Sequence, residues 1–169
     1  MIEEENWENK LQSIWQQLGK ISSEDFIKQI KDHVTQLVDS KAIADFEMAC
    51  AFDSTGHEKE AEPLYRSALD YGLSGLRRRR ARIQLASTLR NNGKIEESIH
   101  ILREEKTNHS DELNDAVDSF LALSLYSVGE NKEALSLALK ALSGHLPRYN
   151  NSLYRYAENL EIKENEPHK

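Results

Sequence analysis

The fold class this sequence predicts is all-α, built from antiparallel helix pairs stacked into an array, and three observations carry it. The 169 residues hold only 7 Gly and 3 Pro, too few for a turn-rich β-sandwich. Apolar residues recur at helical spacing, and nothing reads as alternating strands joined by tight turns. From Lys41 onward a glycine-centred junction returns as Gly56, Gly93 and Gly129, at spacings of 37 and 36 residues. A period of that size marks a helical repeat, whose units bury their apolar faces only by stacking on neighbours.

Taken in order, Trp7, Leu11, Ile14, Trp15 and Leu18 share one helical face, which predicts a helix over 3–18 closed by Gly19. Ser22, three residues ahead of Asp25, reads as a capping box that opens a second helix over 24–39. Its apolar face is Phe26, Ile27, Ile30, Val34, Leu37 and Val38. These two helices form an N-terminal pair over 1–40, and a third begins after Ser40. The repeats then fall at 41–75, 76–112 and 113–148, with a capping helix over 149–163 and a flexible tail over 164–169, all one domain. On the capping helix Tyr149, Leu153, Tyr156 and Leu160 are expected inward, leaving Tyr154 and Arg155 as a surface for self-association.

The junctions read TGHEKEAEPLY, NGKIEESIHIL and VGENKEALSLA. A small residue stands seven before each glycine (Ala49, Ala86, Ala122) and five after it (Ala61, Ser98, Ala134), so paired helices can approach closely. A bulky residue stands nine after in Tyr65 and Leu102, weakening to Ala138. Phe52, Leu89 and Leu125 precede the glycines by four, and Ala68, Glu105 and Ala141 follow by twelve. Leu146-Pro147 ends the third unit.

This pattern resembles the tetratricopeptide repeat (TPR), although Asp45, Arg82 and Asp118 replace its tryptophan. The strings EAEPLYRSALDYGLSG, RRRRARIQLASTLRNNGKIEESIHILR, DAVDSFLALSLYSVGENKEALSLALKAL and HLPRYNNSLYRYAENL are similar to the bacterial tetratricopeptide repeat group 5 family. The resemblance implies a right-handed superhelical array and no established catalytic activity. It also implies that the first helix of each pair lines a concave groove. By position, the partner-binding candidates there are Phe46, Cys50, Arg80, Ile83, Ser87, Arg90, Asn91, Ser119, Leu123 and Tyr126. Such a groove suits a peptide or protein segment with acidic and apolar groups. The two-carboxylate clamp of chaperone-binding TPR domains is absent: Phe46, Cys50, Ala116 and Phe120 stand where it needs cations or Asn, and only Gln84 is chemically close.

Charge points to the same repeat. The total is −7 with a pI near 5.4, which disfavours non-specific binding to nucleic acid or an anionic membrane. Residues 76–112 nonetheless carry 9 basic and 6 acidic groups. The run Arg77-Arg78-Arg79-Arg80 with Arg82 opens a helix, where the dipole disfavours cations by roughly 0.3–1 kcal/mol each. Two readings follow. Carboxylates such as Glu47, or a ladder through Asp45, Arg82 and Asp118, neutralise the run; or Arg80 and Arg90 meet an anionic partner. The alternative function is polyanion binding through this helix.

Catalytic patterns are missing. The six histidines form no HExxH, and no phosphate-loop, dinucleotide or nucleophile-elbow motif occurs, so neither an enzyme nor a cofactor is expected. One cysteine excludes an internal disulfide; Cys50 reads as a packed thiol, with redox sensing beside Arg90 as the functional alternative. Trp7 and Trp15 read as core anchors rather than a ligand cage. The start MIEEENW is unlike a secretion signal and no apolar run reaches membrane-spanning length, so the expected setting is cytoplasmic.

Overall fold

The computed structural model describes residues 2–37 and 40–162. Among them are nine helices and no strand: α1 (Ile2–Trp15), α2 (Ser23–Val34), α3 (Lys41–Asp53), α4 (Glu58–Asp70), α5 (Gly75–Asn91), α6 (Ile95–Asn108), α7 (Asn114–Ser127), α8 (Asn131–Ser143) and α9 (Asn150–Ile162). They fall into two compact units, Met1–Thr88 and Leu89–Lys169.

The repeat junctions are built alike. Gly56, Gly93 and Gly129 take φ of 81°, 80° and 85°, a left-handed conformation that costs a side-chain-bearing residue free energy and glycine none. At each, the glycine N–H reaches back three residues and the next N–H reaches back five. The pairs are Gly56 to Asp53 with His57 to Phe52, Gly93 to Arg90 with Lys94 to Leu89, and Gly129 to Tyr126 with Glu130 to Leu125. This is the Schellman closure, which satisfies orphan carbonyls and aims the chain into the next helix. His57, Lys94 and Glu130 then stand at the N-caps of α4, α6 and α8 without a side-chain cap.

In the first unit, α1 to α4 pack in chain order. Leu11 and Ile14 of α1 meet Phe26, Ile30 and Val34 of α2 and Ala51 of α3, with Trp7, Trp15 and Met48 against the cluster. Each fully buried large apolar side chain contributes about 1.5–3 kcal/mol. Trp7 stacks on buried His33 at 4.7 Å and its indole N–H donates to the His33 carbonyl, so it anchors the helix pair as expected. Ser22 caps α2 through the Asp25 N–H, as the spacing predicts. Ala49 and Ala61, seven before and five after Gly56, are fully buried, as are Tyr65 and Ala68.

In the second unit, α6 to α9 pack in order around Leu102, Val117, Leu121, Leu125, Leu137 and Ala157. Ser98, the small residue after Gly93, meets Ser124 hydroxyl to hydroxyl at 2.9 Å, a contact only close-packed helices allow. Ala138 is exposed and Leu137 takes the buried place instead, a one-residue shift within α8.

Several expectations need correction. The first helix ends at Trp15, because Gln17 and Leu18 bond carbonyls three residues back and the chain tightens into a turn. The second ends at Val34, where Gln36 and Leu37 do the same; Val38 and the 164–169 tail lie outside the described residues. The third repeat's first helix starts at Asn114, within the expected 113–148 unit, after a turn in which the Asp111 carboxylate accepts the Leu113 N–H. The inward face of α9 is carried by Ala157; Tyr149 and Tyr156 are 77% and 67% exposed. Tyr149 sits at φ 67°, and its carbonyl accepts the Leu153 N–H, so its strained backbone starts the helix while its ring points out. Tyr154 and Arg155 are exposed, as expected.

The junction geometry has a direct test. Gly93→Ala should lower stability in urea denaturation by about 1 kcal/mol. Gly144→Ala, at φ −62° with its nearest neighbours 3.9 Å from an added Cβ, should be neutral or slightly stabilising.

Candidate functional site

Helix α5 concentrates the positive charge, and its arginines have different fates. Arg77 is consumed inside the first unit. Its Nη2 donates to both oxygens of Glu8 at 2.7 Å, and its Nε to Glu47 Oε1 at 3.2 Å. Glu47 is buried, and its Oε2 accepts the Trp15 indole N–H at 3.2 Å. One carboxylate on α3 thereby holds α1 and α5 at once. Burial pushes the Glu47 carboxyl above its ordinary range, while the charge and hydrogen bond of Arg77 pull it back.

The other arginines divide sharply. Arg79 is buried, and Arg78, Arg79 and Arg82 all take part in polar or charged interactions. Arg80 is exposed and its guanidinium lies 5.4 Å over the Phe46 ring, a cation–π contact. It has no hydrogen bond or ion pair to any of the described residues. The fourth-position acids are satisfied locally: Asp45 by Lys41 and Ser67, and Asp118 by Lys106 at 2.6 Å. Such pairs stand where a ladder through Arg82 was expected.

Arg80 borders two cavities of the first unit. One, of about 410 Å³, is lined by Ile43, Leu73, Ser74, Leu76 and Arg77. The other, of about 480 Å³, opens between α1, α3 and α5 against Glu8, Leu11, Trp15, Glu47, Arg77 and Gln84.

The expected partner-binding residues separate by burial. Phe46, Cys50 and Ile83 are buried, so they offer no free surface; Phe46 packs on Tyr65 and supports Arg80 instead. The Cys50 thiol donates to Gln84 Oε1 at 3.4 Å, and burial pushes its pKa up to about 12. A redox sensor needs the opposite shift, so the packed-thiol reading holds and the sensing alternative does not. Arg80 and Asn91 are exposed, while Ser87 and Arg90 are half-buried. Arg90 Nη1 donates to Asn91 Oδ1 at 2.8 Å, turning that guanidinium toward its own helix. In the second unit, α7 presents Ser119, Leu123 and Tyr126 on one face, the latter two 47% and 69% exposed.

Sequence reasoning passed over Glu8, Trp15 and Gln84 as site residues. Trp15 both packs edge-on against Phe26 and walls the larger cavity. The available signal was the four-residue step from Arg80 to Gln84, which puts both on one face of a helix. Among the described residues no group of His, Cys, Asp and Glu is placed to hold a metal ion, and no helix is long and apolar enough to cross a membrane.

Helix pairs closed by matching glycine turns, with charge gathered on the first helix of one pair, define a repeat protein of the tetratricopeptide class. The family model described as Tetratrico peptide repeat matches residues 42–160, and the chain belongs to that family. A crystal structure of nearly identical TPR-like repeats, from a Podospora anserina kinesin light chain, matches with a TM-score of 0.67 at 15% identity. The match covers 94% of this chain and 88% of that one, and it is a likeness of fold. No curated protein matches the sequence. Tetratricopeptide repeats in general mediate protein–protein interaction, and the fold is typically a non-catalytic scaffold.

Two measurements check the local chemistry. Arg77→Met leaves Glu47 buried without its cation and should cost about 3 kcal/mol in urea denaturation. Adding Glu47→Gln should restore about 1–2 kcal/mol, and strictly additive losses would contradict the coupling. Cys50, protonated at pH 8 because its pKa is near 12, should stay unreactive toward an aromatic disulfide reagent until the protein is unfolded.

Proposed function

We propose that this chain is a non-catalytic module that binds peptide or protein segments through the first helices of its pairs, α3 and α5 in the first unit and α7 in the second. The observation that carries the reading is Arg80: an exposed guanidinium, oriented on an aromatic ring and bordering a cavity, with no acceptor among the described residues. Leu123 and Tyr126 on α7 supply exposed apolar surface in the second unit. Acidic and apolar groups on the partner complement these side chains. Phe46, Cys50 and Ile83 serve behind them as support, and Ser87, Arg90, Asn91 and Ser119 are the polar contacts of the same helices.

The polyanion reading draws less support. Of the five arginines in the run, Arg77 is taken by Glu8 and Glu47, Arg79 is buried, and Arg78 and Arg82 have partners within the protein. What is left for an anion is local rather than a basic stripe.

Selection from a random peptide library, followed by amide exchange of the full chain with the selected peptides, tests the proposal. Protection concentrated on α3, α5 and α7, with binding weakened about tenfold by Leu123→Ser combined with Tyr126→Ser, is the expected result. Failure to select any peptide, or protection confined to α4, α6 and α8, would overturn it.

A further inference from the structure

We propose that the cavity between α1, α3 and α5 is a receptor for one carboxylate carried beside an apolar group, with Arg80 and Gln84 as the paired donors. The inference rests on the peptide-binding reading above and assigns its ligand chemistry.

Among the charged groups that line the cavity, the hydrogen-bond inventory is lopsided. All four oxygens of Glu8 and Glu47 already accept a bond from Arg77 or Trp15. The donors are different. Arg80 carries five N–H groups and has no acceptor among the described residues. Its guanidinium lies 5.4 Å over the Phe46 ring, and its planar fork of N–H groups matches a carboxylate's two oxygens. Gln84 Oε1 accepts the Cys50 thiol, which leaves the amide N–H₂ with no acceptor among the described residues. Cys50 is thereby a positioning residue.

Arg80 and Gln84 stand one turn apart on α5, close enough to donate to one planar anion. Helix α1 supplies apolar surface to the same cavity through Leu11 and Trp15, among the polar Glu8, Asn9 and Gln12. The volume, about 480 Å³, suits one or two residues of a peptide. Glu8 and Glu47 border the same space, and their charge repels a phosphate dianion or a polyanion more than a single carboxylate. The carboxylate belongs either to a chain terminus or to an acidic side chain next to an apolar residue.

Titrations of the full chain, read from the Trp15 indole N–H and Gln84 side-chain amide resonances, separate these cases. The probes are N-acetyl-leucine, its amide, N-acetyl-leucyl-glutamic acid amide, and inorganic phosphate. N-acetyl-leucine or the glutamyl dipeptide should shift both resonances saturably, the tighter of the two naming the carboxylate's source. N-acetyl-leucinamide and phosphate should not. Arg80→Met and Gln84→Met should each weaken the effective probe by about tenfold, and exposed Arg155→Gln should bind as wild type. Equal binding of the amide, tighter binding of phosphate, indifference to Arg80→Met, or no shift with either carboxylate at tens of millimolar would overturn the proposal. Selected peptides that bind Arg80→Met and Gln84→Met as well as wild type would refute the carboxylate receptor alone. Absence of any peptide binder refutes the underlying reading.

Discussion

At each of the three repeat junctions, and again at Gly72 after α4, a helix ends on a glycine at φ near +80°, and the array follows from what that conformation permits. A left-handed residue lets two successive N–H groups turn back onto the helix they have just left, so the helix closes on its own carbonyls and needs no capping side chain. The direction of the next helix is then set by the backbone. With the angle fixed, only certain positions can face inward, and the sequence fills them with small residues: Ala49 and Ala61 around the first turn, Ala122 and Ala134 around the third. The positions around the second, Ala86 and Ser98, are fully buried as well. Individual repeats can therefore drift far from any consensus, since the turn and its small neighbours carry the geometry.

Against that frame the arginine run is an electrostatic problem solved piecemeal. Cations at a helix start oppose the dipole, and a buried carboxylate opposes its own desolvation. Placing Glu47 against Arg77 lets each unfavourable placement offset the other, and the Trp15 indole satisfies the oxygen that Arg77 does not reach. The remaining cost is visible in the raised carboxyl pKa. Arg80, three residues along the helix, is supported by an aromatic face rather than a carboxylate. The same run thus supplies one residue that holds the fold and another whose N–H groups have no acceptor among the described residues.

The sequence made the helix pairs legible because glycine spacing and apolar period are local signals, and the structure places turns at all three junctions. It overestimated helix length at Leu18 and beyond Val34, where three-residue backbone bonds rather than side-chain pattern end the helix. That Arg80, Leu123 and Tyr126 are exposed was readable from repeat position. The burial of their neighbours was not. Phe46 and Ile83 match groove positions yet are buried, because burial depends on which neighbours stack over a residue and not on its place in the repeat. The role of Glu8 was invisible for a related reason: its contact with Arg77 spans 69 residues, and no period relates them.

The match to the repeat family begins at residue 42, yet one wall of the larger cavity comes from α1, which lies ahead of it. Glu8, Leu11 and Trp15 can change without disturbing a single repeat turn, since none of them takes part in one. Proteins with interchangeable repeats but different leading helices would then enclose differently shaped and differently charged spaces. In this architecture the repeats set the scaffold, and the walls of that space can diversify through a fourteen-residue helix at its edge.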